Sequence, residues 1–126
     1  MRDPVDREFR LALWKIHVLH HASEQPVYGL WLMRELAEHG YSVSPGTLYP
    51  MLSRMERNGW LRSSGGGANA RRSFRITAGG KAVLEELRGH IGELKRELDE
   101  AGRGARASDR RALPARRRVV RRNRGG

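Results

Sequence analysis

The stretch Ser-Pro-Gly-Thr-Leu-Tyr-Pro-Met-Leu, residues 44–52, decides the fold of this chain. Ser44 is a strong helix N-cap, and Pro45 has the fixed φ and missing N–H that the first helical position tolerates. A helix is therefore predicted to begin here and to run to Asn58-Gly59. Its helical wheel gathers apolar residues on a core face: Leu48, Met51, Leu52 and Met55.

The other face of this helix is small, polar and basic. It carries Thr47, Pro50, Ser53, Arg54 and Arg57, with Tyr49 at its border. Pro50 removes a hydrogen bond to the carbonyl of Gly46 and crowds that residue, and glycine is the residue best able to yield there. Pro50 therefore lowers the stability of the first turns of the helix, which indicates that this segment has a role other than stabilising the fold.

Two further helices are predicted before this stretch. The first spans residues 6–22 and is apolar on two faces, whereas the second opens at Pro26 and ends at Gly40. One face of the first helix is expected to seek the core: Phe9, Ala12, Leu13, Ile16 and Leu19. The other is expected to meet a second subunit: Leu11, Trp14, Val18 and Ala22.

The pattern changes to period two after Gly59. Residues 60–64 and 71–76 are predicted to form a hairpin around a glycine-rich turn. Thr77 can cap a last helix, whose apolar positions repeat as the a/d seam of a coiled coil: Leu84, Leu87, Ile91, Leu94 and Leu98. Because two heptads are too short to stand alone, this seam needs a partner, for which a second copy of the chain is the simplest candidate.

Helix, helix, turn, helix and hairpin is the element order of a winged helix-turn-helix. The predicted fold is mainly α, with a two-stranded β-wing and a C-terminal dimerisation helix. Such a fold suits double-stranded DNA, because the free face of the third helix can enter a major groove and the wing can reach the minor groove or the backbone. The predicted DNA contacts are Ser44, Gly46, Thr47, Tyr49, Pro50, Ser53, Arg54, Arg57, Arg71 and Arg72. The predicted dimer contacts are Leu11, Trp14, Val18, Leu84, Leu87, Ile91, Leu94 and Leu98.

The net charge of +11 is distributed unevenly along the chain. Residues 1–100 are close to neutral, whereas residues 101–126 hold ten Arg against the single Asp109. A segment of Arg, Gly and Ala buries too little apolar surface to order itself. The domain is thus predicted to span residues 1–101 and an Arg-rich disordered tail residues 102–126, which either adds phosphate affinity without sequence choice or is simply a solvated end.

Length and composition exclude several classes of protein. A chain of 126 residues supports one domain, and the absence of cysteine excludes disulfides and thiolate metal sites. No apolar run approaches the roughly 20 residues of a membrane span, so no membrane association and a cytoplasmic location are expected. The sequence holds neither a Gly-x-Ser-x-Gly nor a phosphate-binding Gly-Lys-Ser/Thr motif, so neither an enzyme nor a resident cofactor is predicted.

Histidines of the first helix leave an alternative open. His17 and His21 are four residues apart, a spacing that can hold a metal ion, and Glu38 or His39 can complete the site. Arg10 on the same stripe repels a cation, and His20 is expected to point toward the core. The alternatives are therefore a metal-sensing regulator and ordinary surface histidines.

Four segments of the sequence resemble the PadR family of transcriptional regulators. These are Pro26-Val27-Tyr28-Gly29, residues 43–52, residues 54–61 and residues 71–77, and the Ser44 to Pro50 stretch is the most specific of them. The resemblance covers about residues 8–98. The sequence departs from the family at Tyr28-Gly29-Leu30, where His-Gly-Tyr is frequent in the family, and at Ser73-Phe74, where the family often has two aromatic residues.

The resemblance implies a homodimeric repressor that reads an inverted-repeat operator with its third helix. Its N-terminal and C-terminal helices make the dimer, and one short C-terminal helix is typical of the smaller subgroup. Members of the family also bind flat hydrophobic effectors between subunits through aromatic side chains, which makes Trp14 a candidate for such a pocket.

Overall fold

The computed structural model describes residues 4–66 and 71–107. Its elements are α1 (Pro4–Glu24), β1 (Val27–Tyr28), α2 (Gly29–Glu38), α3 (Pro45–Arg57), β2 (Leu61–Gly65), β3 (Arg72–Ile76) and α4 (Ala78–Ala107). The chain divides at Gly89, inside α4, into a first unit that holds the sheet and a second unit that is helical as far as Ala107. Together these elements form the predicted winged helix-turn-helix, and none of the helices in the described ranges is long and apolar enough to cross a membrane.

The sheet has three antiparallel strands in the order β1-β3-β2, one strand more than predicted. The additional strand is β1, in which Val27 pairs with Phe74 and Tyr28 with Ser73. The prediction that the second helix opens at Pro26 is therefore wrong, since α2 begins at Gly29. A β-branched and an aromatic residue favour the extended backbone once a neighbouring strand is available.

The prediction for the two apolar faces of α1 is wrong in part: residues of the face assigned to a second subunit are buried in the core, whereas Ile16 of the other face packs against the core as predicted. Phe9 is 56% exposed, whereas Trp14, Val18 and Ala22 lie in the core of the chain itself. Leu19 is buried as predicted. Both faces are apolar, so only the position of the neighbouring elements decides which one is covered, and spacing along one helix does not contain that information.

Caps and glycines fix the ends of the helices as predicted. The Ser44 hydroxyl accepts a hydrogen bond from the Thr47 N–H at 3.2 Å, which confirms the N-cap of α3. Gly40 and Gly59 follow α2 and α3 with φ of +91° and +83°, a region that glycine enters without steric cost. The Thr77 hydroxyl accepts from the Gly80 N–H at 2.9 Å and so caps α4.

Helix α4 is longer than predicted. It has 30 residues and passes the expected boundary at Gly102, so residues 102–107 are helical and do not belong to a tail. Alanine and arginine have high helix propensity, and these residue types outweigh the cost of Gly102 and Gly104. The rest of the predicted tail, residues 108–126, lies outside the described residues.

Candidate nucleic-acid interface

Helix α3 separates a buried face from a face that is free. Leu48, Met51, Leu52 and Met55 are buried, as their spacing predicted. On the free side Arg54 and Arg57 are exposed, and within the described parts of the chain neither guanidinium has a carboxylate partner. Two uncompensated cations one turn apart form a surface that attracts an anion.

The N-terminal turn of α3 adds hydrogen-bond donors to this surface. Gly46 is exposed, and a Cβ at this position would have only the Ser44 hydroxyl within 4 Å, at 3.8 Å. Ser44 and Thr47 stand beside it, with their hydroxyl oxygens 3.3 Å apart. The first N–H groups of a helix carry partial positive charge and bind phosphate oxygens well. Pro45 has no N–H and the N–H of Thr47 is bound by Ser44, so Gly46 supplies the backbone donor with which this turn can approach a phosphate.

Tyr49 links α3 to α2. Its ring lies against Gly29, where an added Cβ would come within 2.6 Å of two ring carbons. The side chain is nevertheless 43% exposed, so one edge is available to a partner. Pro50 is exposed next to it inside the helix. Tyr49 therefore serves the packing of the two helices as well as the outer surface.

Arg72 was predicted to be a DNA contact of the wing, and its guanidinium is already engaged within the chain. It donates to a Glu56 carboxylate oxygen at 2.9 Å and to the Ser63 hydroxyl at 3.0 Å. Its charge is thus compensated, and its main effect is to tie β3 to the end of α3. Arg71 is exposed and lies over the ring of Tyr28, with Cζ 4.5 Å from the ring centroid.

The sequence analysis did not identify two basic residues of the wing. Arg62 and Arg75 are exposed and stand directly opposite each other across β2 and β3. Like charges at such positions repel and are relieved by an anion between them. The alternation of exposed and buried residues in the two strands contained this signal, because it places both arginines on the outer face.

Glu56 accepts hydrogen bonds from three donors around the base of the wing. The Ser63 hydroxyl donates to it at 2.7 Å, the Ser63 N–H at 3.3 Å, and Arg72 completes the set. The hydrogen bond from the Ser63 side chain is the largest effect on the pKa of Glu56 and lowers it. Burial is the next largest and opposes this, but the Ser63 backbone hydrogen bond and Arg72 also lower the pKa, so it stays below its usual value. The ionised carboxylate therefore positions the wing against α3.

A Glu56→Gln variant is expected to lose about 1 kcal/mol of stability at pH 7, since it keeps the shape of the side chain but removes its charge. A pKa lowered by folding gives stability that is present above the usual glutamate value and is lost as the pH falls through the folded one. Urea unfolding followed by tryptophan fluorescence should therefore show the two proteins converging as the pH is lowered below the usual pKa of a glutamate. A difference that stays constant over this range would show that the charge of Glu56 is not its source.

The residues predicted to make the dimer are divided between two environments. Trp14, Val18 and Leu84 lie in the core of one chain, and Leu11 and Leu87 pack against that core. Ile91, Leu94 and Leu98 are 44%, 49% and 61% exposed. Of the predicted dimer residues, only Ile91, Leu94 and Leu98 are exposed enough in a single chain to be buried by a second subunit. Trp14 packs edge-on against Tyr41 with ring centroids 6.1 Å apart, and its role in an effector pocket stays a prediction.

Comparison with known proteins agrees with this architecture. The profile of the transcriptional regulator PadR-like family matches residues 18–86. The chain is 49% identical over 94 residues to transcriptional regulator Rv3488 of Mycobacterium tuberculosis, an alignment that covers 73% of this chain and 88% of that protein. A PadR-like transcriptional regulator of Bacillus cereus superimposes with a TM-score of 0.67 at 26% identity and covers 75% of this chain and 95% of its own. A PadR family regulator of Eggerthella lenta gives a TM-score of 0.60 at 28% identity, with 77% and 91% covered. A chain with this fold, this cationic helix and these relatives belongs to the PadR-like family of transcriptional regulators.

Proposed function

We propose that this protein is a homodimeric repressor that binds an inverted-repeat operator through α3 and the wing. The observation that carries the proposal is the free face of α3, where Arg54 and Arg57 lack carboxylate partners among the described residues. Arginine is the side chain best suited to guanine edges in the major groove, and α3 presents both of its arginines on one side.

The exposed part of α4 supports the dimer. Ile91, Leu94 and Leu98 continue a heptad seam and remain open to solvent in a single chain. Apolar side chains repeated along one helical stripe are favourably buried by a second copy of the same stripe. A two-fold symmetric dimer presents two copies of α3, and an inverted repeat is the DNA sequence that matches this symmetry.

The test is a fluorescence-anisotropy titration of a duplex from the promoter of the protein's own gene and of a scrambled duplex, each at several salt concentrations. The promoter duplex is expected to bind at least about tenfold more tightly at matched salt. Saturation is expected at two chains per inverted repeat. Equal affinity for both duplexes would contradict sequence-specific reading, and saturation at one chain would contradict the dimer.

The Arg-rich segment is tested in the same titration with a variant that ends at Ala107, the last residue of α4. Removing arginines that contact only phosphates lowers affinity for both duplexes and makes the salt dependence shallower. The promoter preference is expected to survive. Loss of the preference along with the segment would assign DNA reading to the arginines beyond α4.

A further inference from the structure

Three imidazoles meet where α1 passes the end of α2. His17 and His21 lie one turn apart on α1, and His39 is the residue that ends α2. One ring nitrogen of each lies within 4.8 Å of the other two. The ring centroids of His17 and His39 are 4.7 Å apart. His17 and His21, the pair four residues apart that the sequence indicated, are thus joined by a third histidine from another helix.

A carboxylate lies beside two of these histidines. One oxygen of Glu35 lies 3.6 Å from the Nε2 atoms of both His21 and His39. The cluster of mutually close ligand atoms consists of the three histidines. Glu35, one turn before His39 on α2, lies next to two of them, whereas Glu38, which the sequence analysis considered, is exposed. Ligand atoms of a tetrahedral zinc ion with bonds of about 2.0–2.1 Å stand about 3.3–3.4 Å apart, close to the distances from Glu35.

The Nε2 atom of His21 is buried and has no hydrogen-bond partner in the described residues. The side chain of His21 is only 13% exposed, and the nearest carboxylate oxygen, at 3.6 Å, is too far for a hydrogen bond. An unpaired buried nitrogen is unfavourable and requires a physical reason. An ion between His21 and Glu35 would provide the missing partner.

The charges around the cluster favour a cation. Burial, and next the nearby His39, lower the pKa of His17, and burial lowers that of His21 despite the opposing carboxylate of Glu35. Arg10, which the sequence suggested would repel a cation, is neutralised by Asp6 at 2.9 Å.

A second group of ligands shares His21 but is less suitable. It consists of His20, His21 and Glu24. His20 and Glu24 have side chains that are 46% and 60% exposed and lie 3.5 Å apart, so water competes for them and each already has a partner. His20 therefore points to solvent, contrary to the expectation that it faces the core. This makes it a natural control.

We propose that His17, His21 and His39 form a binding site for a divalent transition-metal ion of the zinc type, with the Glu35 carboxylate beside His21 and His39 as a further donor. Imidazole nitrogens with one carboxylate oxygen are the donor set that such ions prefer. The bound ion would join α1 to the last turn of α2, directly before the link to α3. The proposal does not depend on DNA binding, because its test measures metal affinity alone.

The test is a calorimetric titration of zinc chloride into the untagged full chain after removal of metal with a chelator. We expect one zinc ion per chain, and cobalt bound in its place should show the intense visible absorption of tetrahedral coordination. His39→Gln and Glu35→Gln change partly exposed residues and should each weaken zinc binding at least about tenfold. His20→Gln should change it less than about twofold, and circular dichroism of the metal-free variants should match that of the unchanged protein.

Two results would overturn the proposal. The first is the absence of zinc binding to the unchanged protein at millimolar metal. The second is a loss of affinity in His20→Gln with none in His39→Gln, which would place the ion in the exposed group with Glu24.

Discussion

Replacing Arg54 and Arg57 together by Ala is expected to weaken operator binding about 100-fold or more, since each well-placed arginine contact to a base is worth about 1–3 kcal/mol. If one of the two instead contacts a phosphate, the slope of log affinity against log salt should fall by about one unit. Both side chains are exposed on the free face of α3, so the fold should be unaffected. Anisotropy titration of the promoter duplex measures the loss, and circular dichroism checks the fold.

The matched control removes the same charge from another surface. Arg96 and Arg103 are exposed on α4, and Arg96 is paired with Glu93 at 2.6 Å. Replacing these two by Ala should change promoter affinity less than about threefold, the size expected for distant charges at moderate salt. Equal losses in the two double variants would mean that only net charge matters and that α3 does not read the operator.

A Gly80→Ala variant is expected to lose about 2–3 kcal/mol of stability, because the start of α4 lies against the backbone before β2 with no room for a methyl group. An added Cβ would collide with the carbonyl oxygen of Trp60 and stand 2.7 Å from Cγ1 of Ile76. The Trp60 carbonyl cannot withdraw easily, since it accepts a hydrogen bond from the Thr77 N–H at 3.0 Å. Urea unfolding followed by tryptophan fluorescence measures the difference.

A Gly89→Ala variant in the same helix is expected to change the stability in the opposite direction. A Cβ at Gly89 would meet nothing within 4 Å, and the residue lies on the side of α4 away from the seam of Ile91, Leu94 and Leu98. Alanine in place of glycine inside a helix stabilises by about 0.5–1 kcal/mol. If Gly89→Ala and Gly80→Ala destabilised the protein equally, close packing at Gly80 would not be the cause.

Helix α3 could be predicted in full because its signals are local. The Ser44 cap, Pro45 and the positive φ of Gly59 lie at its two ends, and its core face follows from spacing alone. Strand β1 could not be predicted, because two extended residues are stable only beside β3, which lies more than forty positions further along the chain. The prediction of which apolar face of α1 is buried failed for the same reason, because burial there depends on elements that are distant in sequence.

At the candidate interface, too, features that depend on local sequence were predicted and features that depend on tertiary packing were not. The arginines of α3 were found from the helical wheel, whereas the pairing of Arg72 with Glu56 requires the hairpin to bring together residues 16 positions apart. The sequence analysis missed Glu35 beside His21 because Glu35 comes from a second helix, and the spacing of residues along α1 does not reveal where that helix lies. Local patterns thus identify which side chains are present, and tertiary packing decides which of them remain free.

The central position of β3 has a consequence for the order in which the protein can fold during synthesis. β1 pairs only with β3 within the described sheet, and Phe74 of β3 is part of the core. The helices up to α3 leave the ribosome first, but the apolar surface that β3 covers stays open until residues 72–76 have emerged. Contacts distant in sequence form slowly, and exposed apolar surface invites aggregation meanwhile. A nascent chain stopped before Arg72 therefore lacks the strand that closes its core, and the short β1 can join the sheet only afterwards.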